Sequence, residues 1–380
     1  METNSIPLRK ARRPASQVFI DLCMSTRLLV ASLVLLLLPA TLLRAQNNNQ
    51  AFLPAQVRVV STIPPNGDLN PYGVATVPQQ FPTGATVNPG DIIVSNFNNS
   101  SNLQGTGTTI VRIQASGPAS VFFQGKAPLG LTTALNILQA GFVLVGNFPS
   151  PDLSGTCATA QAGSILVINK RGKQVGTIVD PSINGPWDST LFDQGSTAKL
   201  FVANGLDGTV VRLDLAVGSS GVSLTTKATH IASGYANHCD PVTFVDAPTG
   251  LVYDPATDVL FVASTVDNAV FAVSGAGTRT SDGGMGTIVY QDPVHLHGAL
   301  AMAMAMAPNG HLVVSNNDAI NPDPNQPSEI VEFTTQGAFV RQISVDQNPG
   351  GSFGLNIVVS VGVRFAFVDD NVNALSIWTF

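Results

Sequence analysis

The sequence is poor in charged residues, because only 11% of its 380 residues are Asp, Glu, Lys or Arg. Long coiled coils and disordered chains need much more charge, so both classes are excluded. Aromatic residues are also few, at 7%, and there are only three cysteines. The chain is rich instead in glycine (35) and proline (25), which separate short runs of Val, Ile and Leu. This pattern is typical of an all-β domain with many turns.

Several signatures of catalysis are missing. No serine lies in a G-x-S-x-G nucleophile elbow. The stretch "GTGTT" at 105–109 lacks the lysine of a phosphate-binding loop. His238 and Cys239 are adjacent, and neighbouring side chains of an extended chain point apart. The sequence therefore identifies no catalytic residue.

Residues 1–45 predict a secretory signal peptide. Arg27 precedes an apolar run over residues 28–43, and Ala45 is a small residue before the predicted cleavage position. Met24 would be a natural start for this signal. A retained membrane anchor is the alternative, and no later segment is long and apolar enough to span a membrane. We therefore predict export to the periplasm or to the cell exterior.

Removal of the signal peptide leaves an acidic chain, residues 46–380, which we predict to be a single domain. Residues 1–45 carry six of the 18 Lys and Arg and two of the 24 Asp and Glu, which leaves a net charge of −10. An acidic surface argues against nucleic acid and anionic membranes as partners. Two cysteines remain, Cys157 and Cys239, and in an exported protein they are a candidate disulfide.

One sequence pattern occurs six times in the predicted domain: an innermost strand, a tight turn, a second strand with a polar end, a loop and a third strand. The second strands end 51 to 60 residues apart, at Asn96, Asn147, Asn204, Ser264, Asn316 and Asp369. Units of this length that are built from short strands predict a six-bladed β-propeller. The blades are expected at about 71–125, 128–180, 186–232, 247–291, 297–345 and 352–380.

The two ends of the predicted domain complement each other. The sixth unit stops at Phe380, after its third strand, and "QVRVVSTI" at 56–63 belongs to no complete unit. Pairing of 56–63 with the sixth blade would close the ring and leave no incomplete blade edge. The sequence therefore predicts that the N-terminal strand completes the last blade.

The stretch "GALAMAMAMAPNG" at 298–310 alternates Ala and Met with a period of two. Both residues favour helices, but the stretch occupies the position of an innermost strand in its unit. We predict a strand in which Met302, Met304 and Met306 fill the gap between blades, because methionine adapts to irregular spaces. The alanines would then face the more crowded side.

The stretch "GLVYDPATDVLFVASTVDNAVFAV" at 250–273 resembles the units of NHL-repeat and gluconolactonase-like six-bladed propellers. Those units carry a Gly-apolar strand, an Asp-Pro or Pro-Asn-Gly turn, and a second strand that ends in Val-Ala-Asp or Val-Ala-Asn. "AKLFVANGLDGTVVRLDL" and "GALAMAMAMAPNGHLVVSNN" follow the same template. The resemblance covers most of residues 57–380 and implies the six-bladed fold.

In such a propeller, the connections between blades share one face with the loops that join second to third strands. We call it the loop face. Three of its loops are long, 96–108, 147–163 and 316–329, and long loops on a rigid scaffold usually carry binding residues. Cys157 and Cys239 both fall on this face. We predict an exported binding module that presents a ligand- or protein-binding face formed by these loops, and the sequence leaves the ligand open.

Polar residues gather at the predicted mouth of the channel on the loop face. The predicted ligand-binding residues are Asn96, Asn147, Asn204, Asn316, Asp369, Asp188 and Tyr72. In gluconolactonase-like propellers, acidic and asparagine side chains at this mouth hold a divalent cation, commonly calcium, and the resemblance implies such an ion here. The alternative is that each asparagine caps a strand end by bonding to its own turn.

Three histidines form a second candidate metal site. In an extended segment His295 and His297 would face the same way, so both imidazoles could bind one zinc ion, with His238 approaching from a neighbouring connection. Amidating lyases of the NHL type hold zinc with histidines at this mouth. A solvent-facing histidine pair is the alternative. The alternative function is therefore a metal-dependent lactonase-like hydrolase or a lyase with its site at the channel mouth.

Overall fold

The structure is a computed structural model that describes residues 58–305, 310–316, 327–358 and 364–379. These residues form seven β-sheets and one short 3-10 helix. Six of the sheets are blades, and the seventh is a two-stranded hairpin. The predicted all-β class and the six-bladed propeller are confirmed. Within the described ranges, no helix combines the length and apolar character needed to cross a membrane, and the predicted signal peptide at 1–45 lies outside them.

The first three blades follow the chain order, with antiparallel neighbours throughout. The chain enters through β1 (Arg58–Ser61) and continues into blade 1, which contains β2 (Leu69–Thr76), β3 (Ile92–Asn98), β4 (Thr109–Ile113) and β5 (Ser120–Gln124). Blade 2 contains β6 (Leu131–Leu138), β7 (Phe142–Asn147), β8 (Ser164–Asn169) and β9 (Gln174–Ile178), with the 3-10 helix Cys157–Thr159 between β7 and β8. Blade 3 contains β10 (Pro186–Asp193), β11 (Thr197–Asn204), β12 (Thr209–Gly218), β13 (Gly221–Leu224) and β14 (Thr229–Ala232).

A hairpin lies between blades 3 and 4 in the chain order. Its strands are β15 (His238–Asp240) and β16 (Phe244–Asp246). Blade 4 contains β17 (Pro248–Asp254), β18 (Val259–Ser264), β19 (Ala269–Ser274) and β20 (Thr287–Tyr290). Blade 5 contains β21 (Ala299–Ala305), β22 (His311–Asn316), β23 (Glu329–Thr334) and β24 (Phe339–Ser344). Blade 6 contains β25 (Ser352–Val358), β26 (Arg364–Asp369) and β27 (Ala374–Thr379).

The ring closes through β1, which pairs with β27 and supplies the outer strand of blade 6. Val60 lies opposite Leu375 in this antiparallel pair. The guanidinium of Arg58 also donates hydrogen bonds of 2.8 to 2.9 Å to three carbonyl groups in the turn between β4 and β5. The first strand is therefore bound to blade 1 as well as to blade 6. The predicted closure by the segment 56–63 is confirmed.

The second strands have apolar central residues because both of their faces are buried between blades. Leu200 of β11 packs with residues of blade 2, and the next residue, Phe201, packs with residues of blade 4. Leu312 and Val313 of β22 divide in the same way between blades 4 and 6. This is the period-two alternation of a strand. Burial of each such side chain stabilises the fold by about 1.5–3 kcal/mol.

The alternating Ala–Met segment forms the strand β21, as predicted. Met302 packs with apolar residues of blade 4. Ala301 and Ala303 face a cluster that contains the large rings of blade 6, where a longer side chain would not fit. Pairing with β22 and burial between blades therefore outweigh the helix propensity of this segment. Met306 lies outside the described residues.

Candidate functional site

The mouth of the channel on the loop face is occupied by aromatic rings. The rings of this aromatic plug belong to Tyr72, Phe97, Phe148, Trp187, Phe244 and Phe353, and none of these residues is more than 4% exposed. The rings of Tyr72 and Phe353 stack with centroids 3.8 Å apart. The ring centroids of Trp187 in blade 3 and Phe353 in blade 6 are 6.3 Å apart, although these two blades lie on opposite sides of the propeller. Contacts between opposite blades mean that the plug closes the centre of the mouth.

The four asparagines predicted at the mouth hold the connections between blades. Each side-chain amide bonds to the backbone of the segment that leads into the innermost strand of its own blade. The pairs are Asn96 with Thr62 (3.2 Å), Asn147 with Gly130 (3.0 Å), Asn204 with Asn184 (3.0 Å) and Asn316 with His295 (2.7 Å). These contacts are structural and reach the preceding connection, and Asn204 also donates to the Thr209 hydroxyl across its own turn at 2.8 Å.

The divalent cation implied by the resemblance would need several oxygen atoms that converge on one point. At the mouth, the plug occupies that space. The amide oxygens of Asn147 and Asn204 already accept backbone N–H groups at 3.0 Å. The predicted ring of oxygen ligands therefore does not fit such an ion, and we derive no chemistry through it.

Asp188 lies in the channel rather than at its mouth. It follows Trp187 along β10 and lines a cavity of about 240 Å³ that is enclosed by the innermost strands of all six blades. Burial raises the pKa of Asp188 well above its ordinary value, although the Ser189 N–H donates to its carboxyl at 2.7 Å. Asp188 is thus separated from the loop face by the plug, which corrects its expected position.

His295 and His297 lie in a turn before β21 and not in an extended strand. Nδ1 of His295 lies 2.6 Å from a carboxylate oxygen of Asp292, and its ring stacks on Phe339. His297 is buried, with Nδ1 3.3 Å from Glu329 Oε1. The expectation that both imidazoles face one point is therefore not met, because each has its own carboxylate partner.

Cys157 and Cys239 form a disulfide, with Cα atoms 5.4 Å apart. The bond joins the loop 147–163 of blade 2 to the hairpin β15–β16, across 82 residues of sequence. It holds the hairpin against the loop face. The hairpin in turn carries Phe244, which belongs to the plug.

The loop 96–108 contacts the same hairpin. Gln104 donates a hydrogen bond of 2.9 Å to the carbonyl of Val242. Gly105 has φ +66°, and a Cβ at this position would lie 3.0 Å from the ring of Phe244. Glycine therefore permits both the turn and the close approach. Most of the third predicted loop, 316–329, lies outside the described residues.

Beside the plug lies a cleft of about 390 Å³, which we call the amide cleft. Its size is within the range of small-molecule sites. Carboxamides dominate its lining: Asn70, Asn98, Asn102, Gln104, Asn371 and Asn373. Tyr72 and Phe353 of the plug contribute aromatic surface, and Asp370 is the one ionisable acid in the lining. The cleft therefore combines amide groups with an aromatic surface.

Hydrogen bonds fix the walls of the amide cleft. Asn98 donates to the side-chain oxygen of Asn102 at 2.8 Å, and the backbone N–H of Asn70 donates to Asn373 at 2.7 Å. Within the described part of the chain, Asn98 Oδ1, Gln104 Oε1 and Asp370 Oδ1 accept no hydrogen bond. The walls are ordered but retain unused acceptors.

The acids next to the cleft have raised pKa values. Burial, followed by the charge of Asp369, raises the pKa of Asp370 well above its ordinary value. Burial and the neighbouring Asp346 raise the pKa of Asp369 to about 7. Burial and Asp370 also raise the pKa of Tyr72. Asp370 is therefore a weaker acid than an ordinary aspartate, and no Lys, Arg or His lines the cleft.

Of the residues predicted for the binding face, Tyr72 lines the cleft and Asp369 lies next to Asp370. The other cleft residues were missed by the sequence reasoning. One local signal could have indicated them, which is the density of asparagine in "NFNNSSNLQ" and "DDNVN". Asn70, Asn102 and Asn373 all have φ between 51° and 61°. Asparagine tolerates this left-handed conformation better than most residues, so the same residues shape the loops and line the cleft.

A second polar group lies on the hairpin β15–β16. His238, Asp240 and Asp246 each place one ligand atom within 4.8 Å of the other two, the arrangement among the described residues that could hold a cation. Burial raises the pKa of Asp246, and the charge of Asp240 adds to this while the Thr243 hydroxyl opposes it. His238 therefore does not join the other two predicted histidines, whose carboxylate partners are elsewhere.

No protein-family model and no curated protein matches this chain. Among the solved structures that resemble it are the following three, each at 12% identity. A gluconolactonase of Xanthomonas campestris has a TM-score of 0.51, with coverage of 85% of this chain and 89% of that one. A protein assigned as a gluconolactonase has a TM-score of 0.53 (88% and 96%). An α-L-arabinofuranosidase of Fusarium graminearum, in a mutant form bound to an iminosugar inhibitor, has a TM-score of 0.52 (84% and 98%).

At this identity, the likeness shows the fold alone. It agrees with the six blades described above. The chain is a six-bladed β-propeller of the gluconolactonase-like fold.

Proposed function

We propose that this protein is an exported binding module whose amide cleft holds a small neutral ligand rich in hydroxyl groups, of the carbohydrate class. The observation that carries the proposal is the lining of the cleft. Six carboxamides and one carboxyl with a raised pKa surround the aromatic surface of Tyr72 and Phe353.

The chemistry of this lining favours hydroxyl groups over charged groups. A carboxamide both donates and accepts hydrogen bonds, and so does a hydroxyl group. Six such side chains line the cleft, so a polyol that enters it meets both donors and acceptors. No Lys, Arg or His lines the cleft to attract an anion. Because its pKa is raised, Asp370 is a poorer partner for a cation than an ordinary aspartate.

The fold neighbours are consistent with this ligand class. Two are gluconolactonases by name, and the third is an arabinofuranosidase bound to an iminosugar. Export is supported by the apolar run that predicts a signal peptide at 1–45 and by the disulfide Cys157–Cys239, because such bonds persist in oxidising compartments. The acidic chain supports our expectation that nucleic acid is not a partner.

The proposal is tested by calorimetric titration of the full chain with glucose, arabinose and glucono-1,5-lactone. We expect saturable one-site binding to at least one of them. We expect Asn98→Ala to weaken this binding at least tenfold, about 1.4 kcal/mol. The matched control is Asn136→Ala, which removes a carboxamide from the channel cavity rather than from the cleft. If no sugar binds with a Kd of about 1 mM or lower, which corresponds to a binding free energy of about −4.1 kcal/mol, the proposal is contradicted. An equal loss of sugar binding in Asn136→Ala would contradict the assignment of the binding site to the cleft.

A lactonase-like hydrolase is the second candidate, and the adjacent carboxyls Asp369 and Asp370 favour it. In lactone hydrolysis, the oxygen of water bonds to the carbonyl carbon, the ring C–O bond breaks, and the ring oxygen takes up a proton. Asp370 has a raised pKa and lines the cleft, so it is the group placed to donate a proton to the ring oxygen. Water then returns a proton to Asp370, and the product is a hydroxy acid.

The hydrolase is tested by following proton release from glucono-1,5-lactone with a pH indicator. If the second candidate is right, release exceeds the spontaneous rate, and Asp370→Asn returns it to that rate. Asp188→Asn is the matched control, because Asp188 also has a raised pKa but lies in the channel. A rate equal to the spontaneous one at every protein concentration would leave only the binding module.

A further inference from the structure

The hairpin β15–β16 places three metal-ligating side chains on one of its faces. His238 pairs directly with Asp246 across the two strands. Asp240 is two residues after His238 on the same strand, so it projects to the same side. The ligand atoms of the three residues lie within 4.8 Å of one another. The geometry points to a binding site for one divalent transition-metal ion, with zinc as the best match, at His238, Asp240 and Asp246.

Both carboxylates are held in position by the turn of the hairpin. Asp240 Oδ1 accepts the N–H groups of Val242 (2.7 Å) and Thr243 (2.9 Å). Asp246 Oδ1 accepts the hydroxyl of Thr243 at 2.6 Å. In each case one oxygen is anchored, and the carboxylate is oriented before an ion binds. Hydrogen bonds of this kind commonly orient metal ligands.

The hairpin itself is fixed to the body of the protein. Phe244 and Val245 are buried in the cluster that contains the plug. Cys239, between His238 and Asp240, forms the disulfide with Cys157. Three ligands on a clamped hairpin lose little conformational freedom when an ion binds, which favours affinity.

An independent observation points to an ion at this place. Asp246 Oδ2 is buried, in a side chain that is 1% exposed, and accepts no hydrogen bond in the described part of the chain. His238 Nε2 lies 3.3 Å from this oxygen. The two atoms are close enough for an ion pair but do not form a hydrogen bond. A buried carboxylate oxygen with no donor is costly. A metal ion between Asp246 Oδ2 and the imidazole would satisfy it.

The donor set selects the kind of ion. Two carboxylates cancel the charge of a divalent ion, and a neutral imidazole adds a nitrogen ligand that suits zinc better than calcium. The His238 side chain is 53% exposed, so solvent reaches the site and a water molecule can take the fourth position. None of the three ligands lines the amide cleft, so the site does not depend on a sugar there.

The experiment uses the full chain, freed of metal with a chelator and titrated with zinc by calorimetry. We expect one equivalent of zinc to bind, and cobalt(II) at the same site to give the visible absorption of a low-symmetry complex. We expect His238→Ala to weaken zinc binding at least tenfold. Asp246→Asn should have a similar effect, since it retains the shape of the side chain and removes the charge.

The matched control is His295→Ala. It removes a histidine that also has a carboxylate partner, Asp292 at 2.6 Å, but that belongs to no group of three ligands in the described chain. Its zinc binding should equal that of the parent protein. Thermal unfolding of each variant without metal shows whether it is folded. Absence of stoichiometric zinc binding by the folded parent would overturn the proposal. Zinc binding that survives His238→Ala and is lost in His295→Ala would also overturn it.

Discussion

The aromatic plug and the amide cleft lie side by side on the loop face, and they differ in almost every physical property. The plug is made of six buried rings with contacts that cross the channel from blade 3 to blade 6. The cleft is lined by carboxamides that bond to one another and keep unused acceptors. Tyr72 belongs to both, since its ring stacks on Phe353 and it borders the cleft.

This difference separates the stability of the mouth from its recognition chemistry. A dry aromatic cluster gains free energy from burial and ring contacts, and of its rings only Tyr72 and Phe353 border the cleft. The cleft retains polar groups that cost stability while they lack partners. We therefore infer that the plug provides a rigid base and that binding takes place beside the propeller axis. The predictions below test this division, beginning with the largest effect.

Trp187→Ala should have the largest effect, because Trp187 is 1% exposed and contacts Tyr72, Phe97, Phe148 and Phe353. Removal of a buried tryptophan ring should lower the free energy of unfolding by about 3–5 kcal/mol. Guanidinium unfolding followed by circular dichroism measures it. Val179→Ala is the control, at a position that is 68% exposed, and should change stability little. A loss below about 1.5 kcal/mol at Trp187 would mean that the mouth is loosely packed.

Asp369 should make the stability depend on pH. Its pKa rises from 3.8 to about 7 in the folded protein. Between these values, the folded state binds a proton that the unfolded chain has released, so the free energy of unfolding falls as pH rises through this window. Asp369→Asn should reduce the fall between pH 4 and pH 8 by about 2 kcal/mol, roughly half of what the full shift would give, because nearby water screens the charge.

Urea unfolding at a series of pH values measures this dependence. At pH 4 most Asp369 carboxyls are already protonated when folded, so the variant and the parent should have similar stabilities there. An unchanged slope in Asp369→Asn would show that this acid is not the source of the pH dependence.

A smaller effect on stability should distinguish Asn204 from Asn98, which both lie near the end of a second strand. Asn204→Ala should cost about 1–2 kcal/mol of stability, because the backbone groups of Ser182 and Asn184 lose their partners. Asn98→Ala should cost about 0.5 kcal/mol, because it mainly loses its bond to Asn102. The effects on sugar binding should be reversed, with a loss only for Asn98→Ala. Similar losses of binding in both variants would remove the distinction between structural and cleft asparagines.

The fold could be predicted from sequence because its signals are local. The six second strands recur at similar intervals. Asp369 lies opposite Ser352, the first residue of β25, and Asn96 lies opposite Pro71, near the start of β2. The orphan segment at 56–63 indicated the closure, since a strand without a partner and a blade without an outer strand are both visible in the sequence. The alternation of Ala301 and Met302 likewise gave the correct strand.

The candidate site was less accessible to the same reasoning. Asn147 and Asn204 were placed at the mouth, but their amides turn to the backbone of the blade connections. His295 and His297 were expected in an extended segment, yet a turn gives each its own carboxylate. Sequence spacing predicts whether a residue lies near the loop face or deeper in the channel. It does not predict where the side chain points after a turn or an irregular pairing.

The sequence by itself determined the number of blades, the strand that closes them and the strand character of β21, because each depends on hydrophobic periods within one repeat. Only the tertiary structure decided what occupies the mouth and where the cleft lies. Trp187 and Phe353 come from opposite blades, and the hairpin with Phe244 is inserted between two of them. Residues so far apart in the chain meet because closure of the ring directs the starts of the innermost strands to one axis, and no period in the sequence records which side chains meet there.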